Sequence, residues 1–185
     1  MVGKLIVLVG PSGVGKGTVL KKVFEKLPNL VYSISVTTRA KRPNEVEGQN
    51  YFFRSREEFL NLVAQNEMLE WAEFVGNYYG TPKKYIQENI INNRNVILEI
   101  EMEGAKQIKQ KMPEAKFIFV APPSIEILHK RLTERGTEPE VTIKARVEKA
   151  KQELAQAEWF DYCLVNEEGQ ADETARHLID IIQNF

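Results

Sequence analysis

An α/β fold with a mostly parallel sheet and helices on both faces is predicted by three features of the chain. Short apolar runs, Leu5–Val9 first among them, alternate with segments of helical periodicity. A glycine-rich turn joins the first such run to the first helical segment. The length of 185 residues suits one core with small inserts. Alternation of strand and helix implies right-handed crossovers and parallel pairing.

The elements follow in order. Leu5–Val9 is apolar throughout and bounded by glycines, as a strand covered on both faces would be. Leu20, Val23, Phe24 and Leu27 share one face of a helix that Pro28 ends. Val31–Val36 alternates and is β-branched, so it is expected as one strand. Residues 37–90 break the rhythm: they are polar, aromatic and turn-rich, and read as a small α+β insert packed on the core. Within them, Ser55-Arg56-Glu57-Glu58 is a capping box. Thr81-Pro82 is expected to open another helix, with Thr81 as N-cap and Pro82 as first residue. Ile97–Glu101 reads as a strand, followed by a helix near Glu103–Lys111. Lys116–Ala121 is the next strand, and Pro122-Pro123-Ser124 ends it and caps a helix carrying Ile125, Leu128 and Leu132. Glu134–Glu140 is polar and suits a flap and a plain surface loop equally. Ile143, Val147, Ala150, Leu154 and Ala157 mark one face of a long helix, Tyr162–Val165 a short strand, and Ala175, Leu178, Ile179 and Ile182 the last helix.

Composition narrows the function. Lys+Arg is 25 and Asp+Glu is 26, so the basic excess of a dedicated nucleic-acid-binding domain is missing and no nucleic-acid partner is expected. Cys163 is the only cysteine, which excludes an internal disulfide and a four-cysteine zinc site and fits a reducing compartment. It is expected as a buried small apolar residue. The N-terminal apolar run of Leu5–Val9 falls far short of the roughly 20 residues of a bilayer span, and no signal-peptide pattern is present. A cytoplasmic protein with no membrane partner is expected. His129 and His177 have no companion at metal-ligand spacing, and Trp71 and Trp159 read as packing residues.

The strongest motif is Gly10-Pro11-Ser12-Gly13-Val14-Gly15-Lys16-Gly17-Thr18, a G-x-x-x-x-G-K pattern between a strand and a helix. Glycines let backbone N–H groups turn toward phosphate oxygens, and the helix N-terminus adds partial positive charge. Lys16 supplies a full charge near the β- and γ-phosphates. At glycine frequencies near 7%, the pattern would arise by chance roughly 0.05 times in such a chain. Together with the sheet this is a P-loop NTPase-type architecture. Gly17 stands where a hydroxyl usually follows the lysine, and Thr18 comes one residue later. Magnesium is therefore expected to be held mainly by nucleotide oxygens and water, with Thr18 as a candidate protein contact and no dedicated metal site.

A loop for a triphosphate points to a donor; the acceptor is read from the insert. Arg39, Lys41 and Arg42 place three cations within four residues at the end of a strand, where ligands bind in open α/β sheets. Arginine grips phosphate at two points, and Tyr51, Tyr78 and Tyr79 add phenolic donors. Glu99 and Glu101, at i and i+2 near a strand end, are expected on one face.

The chain resembles the guanylate kinase family. The resemblance is carried by Gly10 to Thr18, Ser35-Val36-Thr37-Thr38-Arg39 with Arg42-Pro43, and Gly48-Gln49-Asn50-Tyr51-Phe52-Phe53. It continues through Glu70-Trp71-Ala72-Glu73-Phe74, Gly76-Asn77-Tyr78-Tyr79-Gly80-Thr81, Ala121-Pro122-Pro123-Ser124 and Arg131-Leu132 to Arg135-Gly136-Thr137. Order and spacing hold over nearly the whole chain.

The resemblance implies transfer of the γ-phosphoryl of MgATP to GMP in purine nucleotide metabolism and GMP recycling, with Mg²⁺ as cofactor. The substrates are ATP and GMP, with dGMP left open. It implies a single domain over 1–185. The core is 1–36, 91–133 and 141–185, with a GMP-binding insert over about 37–90 and a mobile lid over about 134–140. Gly10 to Thr18 match the ATP cradle. Arg39, Arg42, Tyr51 and Tyr79 match positions that hold the GMP phosphate, and Ser35, Glu70 and Thr81 match positions that read guanine. A carboxylate at Glu70 can take the N1–H and N2–H₂ donors of guanine, and adenine would leave it facing a lone pair. Arg131, Arg135 and Arg146 match arginines that clamp the transferring phosphoryl and the ATP side; Lys16, Arg39, Arg135 and Arg146 are the expected catalytic group. Asn166 matches a position near the adenine. Glu101 stands where the family usually carries aspartate, a carboxylate that helps with guanine or with Mg²⁺-bound water, and Glu103 where it carries glutamine; Glu101 is counted with the GMP-binding residues. A related kinase for AMP, dTMP or UMP is the near rival. A non-catalytic interaction module is the distant one, and intact Gly15 and Lys16 argue against it.

Overall fold

The unbroken apolar run Leu5–Val9 forms β1, buried at all five positions. In this computed structural model every residue is described except Met1, Val75, Arg135, Thr137, Glu138 and Phe185, and the side chain of Phe74. The central sheet is parallel, of order β2 (Val31–Tyr32), β7 (Val96–Glu99), β1, β8 (Lys116–Ala121), β9 (Tyr162–Val165). The chain divides into two compact units, residues 1–7 with 30–115, and residues 8–29 with 116–185. Among the described residues, no helix is long and apolar enough to cross a membrane.

In the unit of residues 8–29 and 116–185, α1 (Lys16–Lys26) buries Val19, Leu20 and Val23 and stops at Leu27, before Pro28. Ser124 Oγ accepts the Ile127 N–H at 3.2 Å, the cap expected for α5 (Ile125–Glu134). α5 packs on α6 (Glu140–Leu154) through Leu128, Leu132, Ile143 and Ala150. Ala157, expected on the same helix face, lies beyond its end in a short 3₁₀ turn, Ala157–Trp159. β8 runs parallel to β9, and α7 (Ala171–Gln183) buries Thr174, Ala175, Leu178 and Ile182. Cys163 is exposed, not buried as expected, because β9 is the outermost strand of its sheet. The stretch 134–140 connects α5 to α6; Arg135, Thr137 and Glu138 fall outside the described residues, and the expected lid falls there with them.

In the unit of residues 1–7 and 30–115 a second, mixed sheet has the order β4 (Phe52–Phe53), β3 (Val36–Thr37), β6 (Asn77–Pro82), β5 (Met68–Phe74). The expected single strand over Val31–Val36 is thus two strands in two sheets. The Ser33 N–H still donates to Ile97 O of the first sheet, whereas Ser35 O accepts the Phe52 N–H of the second. Residues 33–35 carry the chain across. The capping box is present at α2 (Arg56–Ala64): Ser55 Oγ accepts the Glu58 N–H, and Glu58 Oε2 accepts the Ser55 N–H at 2.7 Å. Thr81 does not cap the next helix. Thr81 and Pro82 end β6, and α3 begins at Lys83 with no side-chain cap. The Thr81 hydroxyl is bonded to Glu70 instead. α4 (Met102–Lys111) has Glu101 as its N-cap, so β7 ends at Glu99 and the shared-face argument for Glu99 and Glu101 does not hold.

Phe59 anchors the second sheet. It is fully buried, stacks on Tyr78 at 5.3 Å between ring centroids and meets Trp71 edge-on at 6.3 Å. Tyr78 and Trp71 are themselves perpendicular, 5.6 Å apart. Such a cluster adds ring–ring attraction to area burial. Phe59→Ala should lower the stability of the protein by about 3–5 kcal/mol, read as a drop in the urea midpoint.

Candidate active site

The phosphate loop runs from the end of β1 into α1. Gly13 and Gly15 take φ of 92° and 99°, which a residue with a side chain resists. Gly15 is the N-cap of α1 and has no side chain to occupy the first-turn N–H groups. No acidic residue stands in that turn, so the positive end of the helix is not neutralised from within. Lys16 Nζ donates to Gly10 O at 2.5 Å and to Pro11 O at 3.4 Å, which curls the ammonium over its own loop.

The expected donor-side residues gather at this loop in different ways. Arg131 Nη1 donates to Val14 O at 3.2 Å, and its Nη2 to Asn166 O at 3.0 Å. Asn166 is buried and donates its Nδ2–H to Val14 O at 2.8 Å. Arg146 Nη1 donates to Ser12 Oγ at 2.7 Å. Thr18 is exposed on the first turn of α1. Arg135 lies outside the described residues.

In the other unit, the Arg39–Tyr cluster forms where the insert begins. Thr37 Oγ1 donates to Tyr78 O at 3.0 Å and accepts the Arg39 N–H at 3.1 Å, which pins the turn to β6. Arg39 Nη2 donates to Glu45 Oε1 at 2.6 Å, and Glu45 Oε2 accepts the Arg42 backbone N–H at 2.9 Å. The Arg39 guanidinium lies 5.4 Å from the Tyr51 ring centre, and Tyr51 meets Tyr79 edge-on at 6.1 Å. A hydrogen bond to Glu45 raises the Arg39 pKa further, and burial raises that of Tyr51. Ser35 is half-buried at the crossing between the sheets, and the Arg42 side chain is exposed.

Glu70 is the buried acid of this unit, 5% exposed on β5. It pairs in register with Thr81 across the sheet, and the Thr81 hydroxyl donates to Glu70 Oε1 at 2.6 Å. Burial pushes the Glu70 carboxyl up to about 7; the Thr81 hydroxyl and the charge of Lys111 pull the other way. Helix α4 makes the place for it. A side chain at Gly104 would put its Cβ 2.6 Å from Glu70 Oε2. One turn on, Gln107 brackets the backbone of Trp71, accepting its N–H at 3.2 Å and donating to its carbonyl at 2.9 Å. A further turn on, Lys111 Nζ donates to Leu69 O at 2.6 Å. Gly104, Gln107 and Lys111 form one stripe of α4 along the outer strand of the second sheet. Glu101, at the N-cap, is exposed.

Sequence reasoning did not single out Gly104, Gln107, Lys111, Glu45 or Thr174. Glu45 carried a signal, an acid three residues after a run of cations. The α4 stripe carried its i, i+3, i+7 spacing but nothing to say what it faced.

A glycine cradle that opens a helix after a buried strand of a parallel sheet places the chain in the P-loop class. Comparison with known proteins is narrower. A family model described as guanylate kinase matches residues 2–185. The chain is 53% identical over 167 residues to a guanylate kinase of Streptococcus pneumoniae (strain ATCC BAA-255 / R6), covering 90% of this chain and 80% of the relative. It is 48% identical over 180 residues to a guanylate kinase of Synechocystis sp. (strain ATCC 27184 / PCC 6803 / Kazusa), covering 97% and 93%. The crystal structure of guanylate kinase from Anaplasma phagocytophilum superposes with a TM-score of 0.78 at 38% identity, covering 99% of this chain and 86% of that one. This chain belongs to the guanylate kinase family.

The Glu70 carboxyl holds its proton more tightly in the folded chain than in the unfolded one, where it titrates near 4.5. Its contribution to stability is full below that value and is lost as pH rises through about 7. The loss is on the order of 3 kcal/mol. Glu70→Gln cannot ionise, so its stability relative to the parent should climb by that order between pH 4.5 and pH 8. Urea unfolding across that range checks it.

Proposed function

We propose that this protein transfers the γ-phosphoryl group of MgATP to GMP. An oxygen of the GMP phosphate attacks the γ-phosphorus in line, the bond to the β–γ bridging oxygen breaks, and ADP and GDP result. No covalent enzyme intermediate is involved; positioning and charge neutralisation carry the step. The observation that carries the acceptor assignment is the buried Glu70–Thr81 pair. A carboxylate there accepts the two adjacent N–H donors of guanine, and a hydroxyl beside it completes the edge. An adenine would leave Glu70 unpaired, a large penalty for a buried charge.

In this reading Arg39, Arg42, Tyr51 and Tyr79 hold the GMP phosphate, with Glu45 keeping the Arg39 guanidinium aligned. Ser35 and Glu101 lie with the guanine. The loop Gly10–Thr18 cradles the ATP phosphates, and Lys16 exchanges its loop carbonyls for β- and γ-phosphate oxygens. Arg131, Arg146, Arg135 and Asn166 belong to the ATP side. Magnesium bound with the nucleotide would be held mainly by phosphate oxygens and water, with Thr18 the residue placed to take part, and would supply charge neutralisation there. The residues fit that arrangement. Thr18 is exposed in the first turn, and a Cβ at Gly17 would meet nothing within 4 Å, leaving room for a hydrated cation. Cytoplasmic action on small molecules, with no nucleic-acid partner, goes with the lone Cys163 and the near-zero net charge.

The assay is ADP formation from MgATP with GMP, AMP, UMP and dTMP offered separately. Activity with GMP alone is expected; preference for another acceptor refutes the Glu70 assignment. Guanine needs the ionised carboxylate, so kcat/KM for GMP should fall about tenfold per pH unit below the Glu70 value near 7 and level off above it. Glu70→Gln should lose most GMP selectivity and flatten that limb. The substrate's own phosphate titrates alike with both enzymes, so the difference between the two profiles isolates Glu70. Lys16→Ala should lower kcat by at least about a hundredfold, as loss of one preorganised group facing developing charge does elsewhere. Near-parental turnover would exclude its role.

A further inference from the structure

Thr174 is a buried hydroxyl on α7, 3% exposed, with no role in the reading above. Its one proton has three acceptors in range: Asn166 Oδ1 at 3.0 Å, Gln170 O at 3.3 Å and Val165 O at 3.5 Å. The shortest is the Asn166 amide oxygen. The other end of that amide donates to Val14 O at 2.8 Å. A backbone carbonyl only accepts, so the amide must present nitrogen to Val14 and oxygen to Thr174. Asn166 is itself tied down, its N–H donating to Ala121 O at 2.9 Å. The fit to the loop is close: a Cβ at Gly15 would come within 2.6 Å of Asn166 Nδ2.

The Val14 carbonyl and the Gly15 N–H belong to one planar trans peptide and point in opposite directions. Whatever holds the carbonyl also aims the N–H. We propose that Thr174 and Asn166 are positioning residues for the phosphate loop: the Thr174 hydroxyl locks the Asn166 amide, the amide holds the Val14 carbonyl, and the Gly15 N–H is thereby aimed at the ATP phosphates. This rests on the loop being the nucleotide cradle. It places the action of Asn166 on ATP in the loop's geometry and extends the ATP site to α7, which acts through Asn166.

The test is ADP binding by calorimetry, with KM values for ATP and GMP, for the parent, Thr174→Val, Thr174→Ser and Asn166→Asp. Thr174→Val should raise the ADP Kd and the ATP KM about tenfold, the size of one lost buried hydrogen bond, with the GMP KM within about twofold. Thr174→Ser, which keeps the hydroxyl, should restore both. Asn166→Asp sets a carboxylate oxygen against the Val14 carbonyl and should weaken ADP binding in the same selective way, which keeps the test decisive if Thr174→Val does not fold. Parental ADP affinity in Thr174→Val, or in Asn166→Asp should Thr174→Val not fold, overturns the proposal. So does an equal rise in both KM values, which marks a purely structural role. If the parent itself fails to bind ADP, the cradle reading falls first and this proposal with it.

Discussion

Water solvates a carboxylate better than any protein interior does, and Glu70 has been taken out of water. The residues around it answer that one constraint. Thr81 gives it a hydroxyl from the neighbouring strand, and α3 starts after Pro82, which has no capping side chain. Gly104 leaves space for its second oxygen. Lys111 stands near enough for its charge to favour the ionised form. β5, which carries Glu70, is the outermost strand of its sheet and would otherwise expose unpaired backbone groups along one side. Gln107 and Lys111 bond to that backbone instead. The acid and its setting are thus built by two strands and one helix stripe acting together.

The phosphate loop solves the opposite problem. It must keep N–H groups available, and the first turn of α1 has no capping side chain and no acid to consume them, with positive φ at two glycines; within the loop the Val14 N–H is bonded to Pro11 O at 3.2 Å. The loop is held through its carbonyls. Gly10 and Pro11 take Lys16, and Val14 takes Arg131 and Asn166. The carbonyls of Gly10, Pro11 and Val14 are thus tied to the protein by side-chain donors, a division of labour that charge alone would not produce.

Much of this was legible in the sequence where the cause is local. The apolar run of β1, the G-x-x-x-x-G-K turn and the Ser55–Glu58 capping box each need only near neighbours in the chain, and each formed as expected. Failures share a different cause. Val31–Val36 has the composition of one strand, but its two ends pair with partners far apart in sequence, Val96 and Phe52. Thr81-Pro82 is a sound helix start until a buried acid eleven residues away claims the hydroxyl. Cys163 reads as core because its strand reads as core, and only the sheet order reveals an edge. The residues proposed to read guanine were named through family resemblance. No periodicity marks Gly104 as the neighbour of Glu70.

The cross-strand pairing of Glu70 with Thr81, closed over by Gly104, bears on how such a site could evolve. Three positions on three elements share one small volume. A change at any one alone leaves a buried proton donor, a buried acid or a clash without an answer, so intermediates between two base preferences would be less stable than either end. Acceptor choice should therefore be strongly epistatic and slow to drift, whereas exposed positions away from the site, such as Ile91, can vary one at a time.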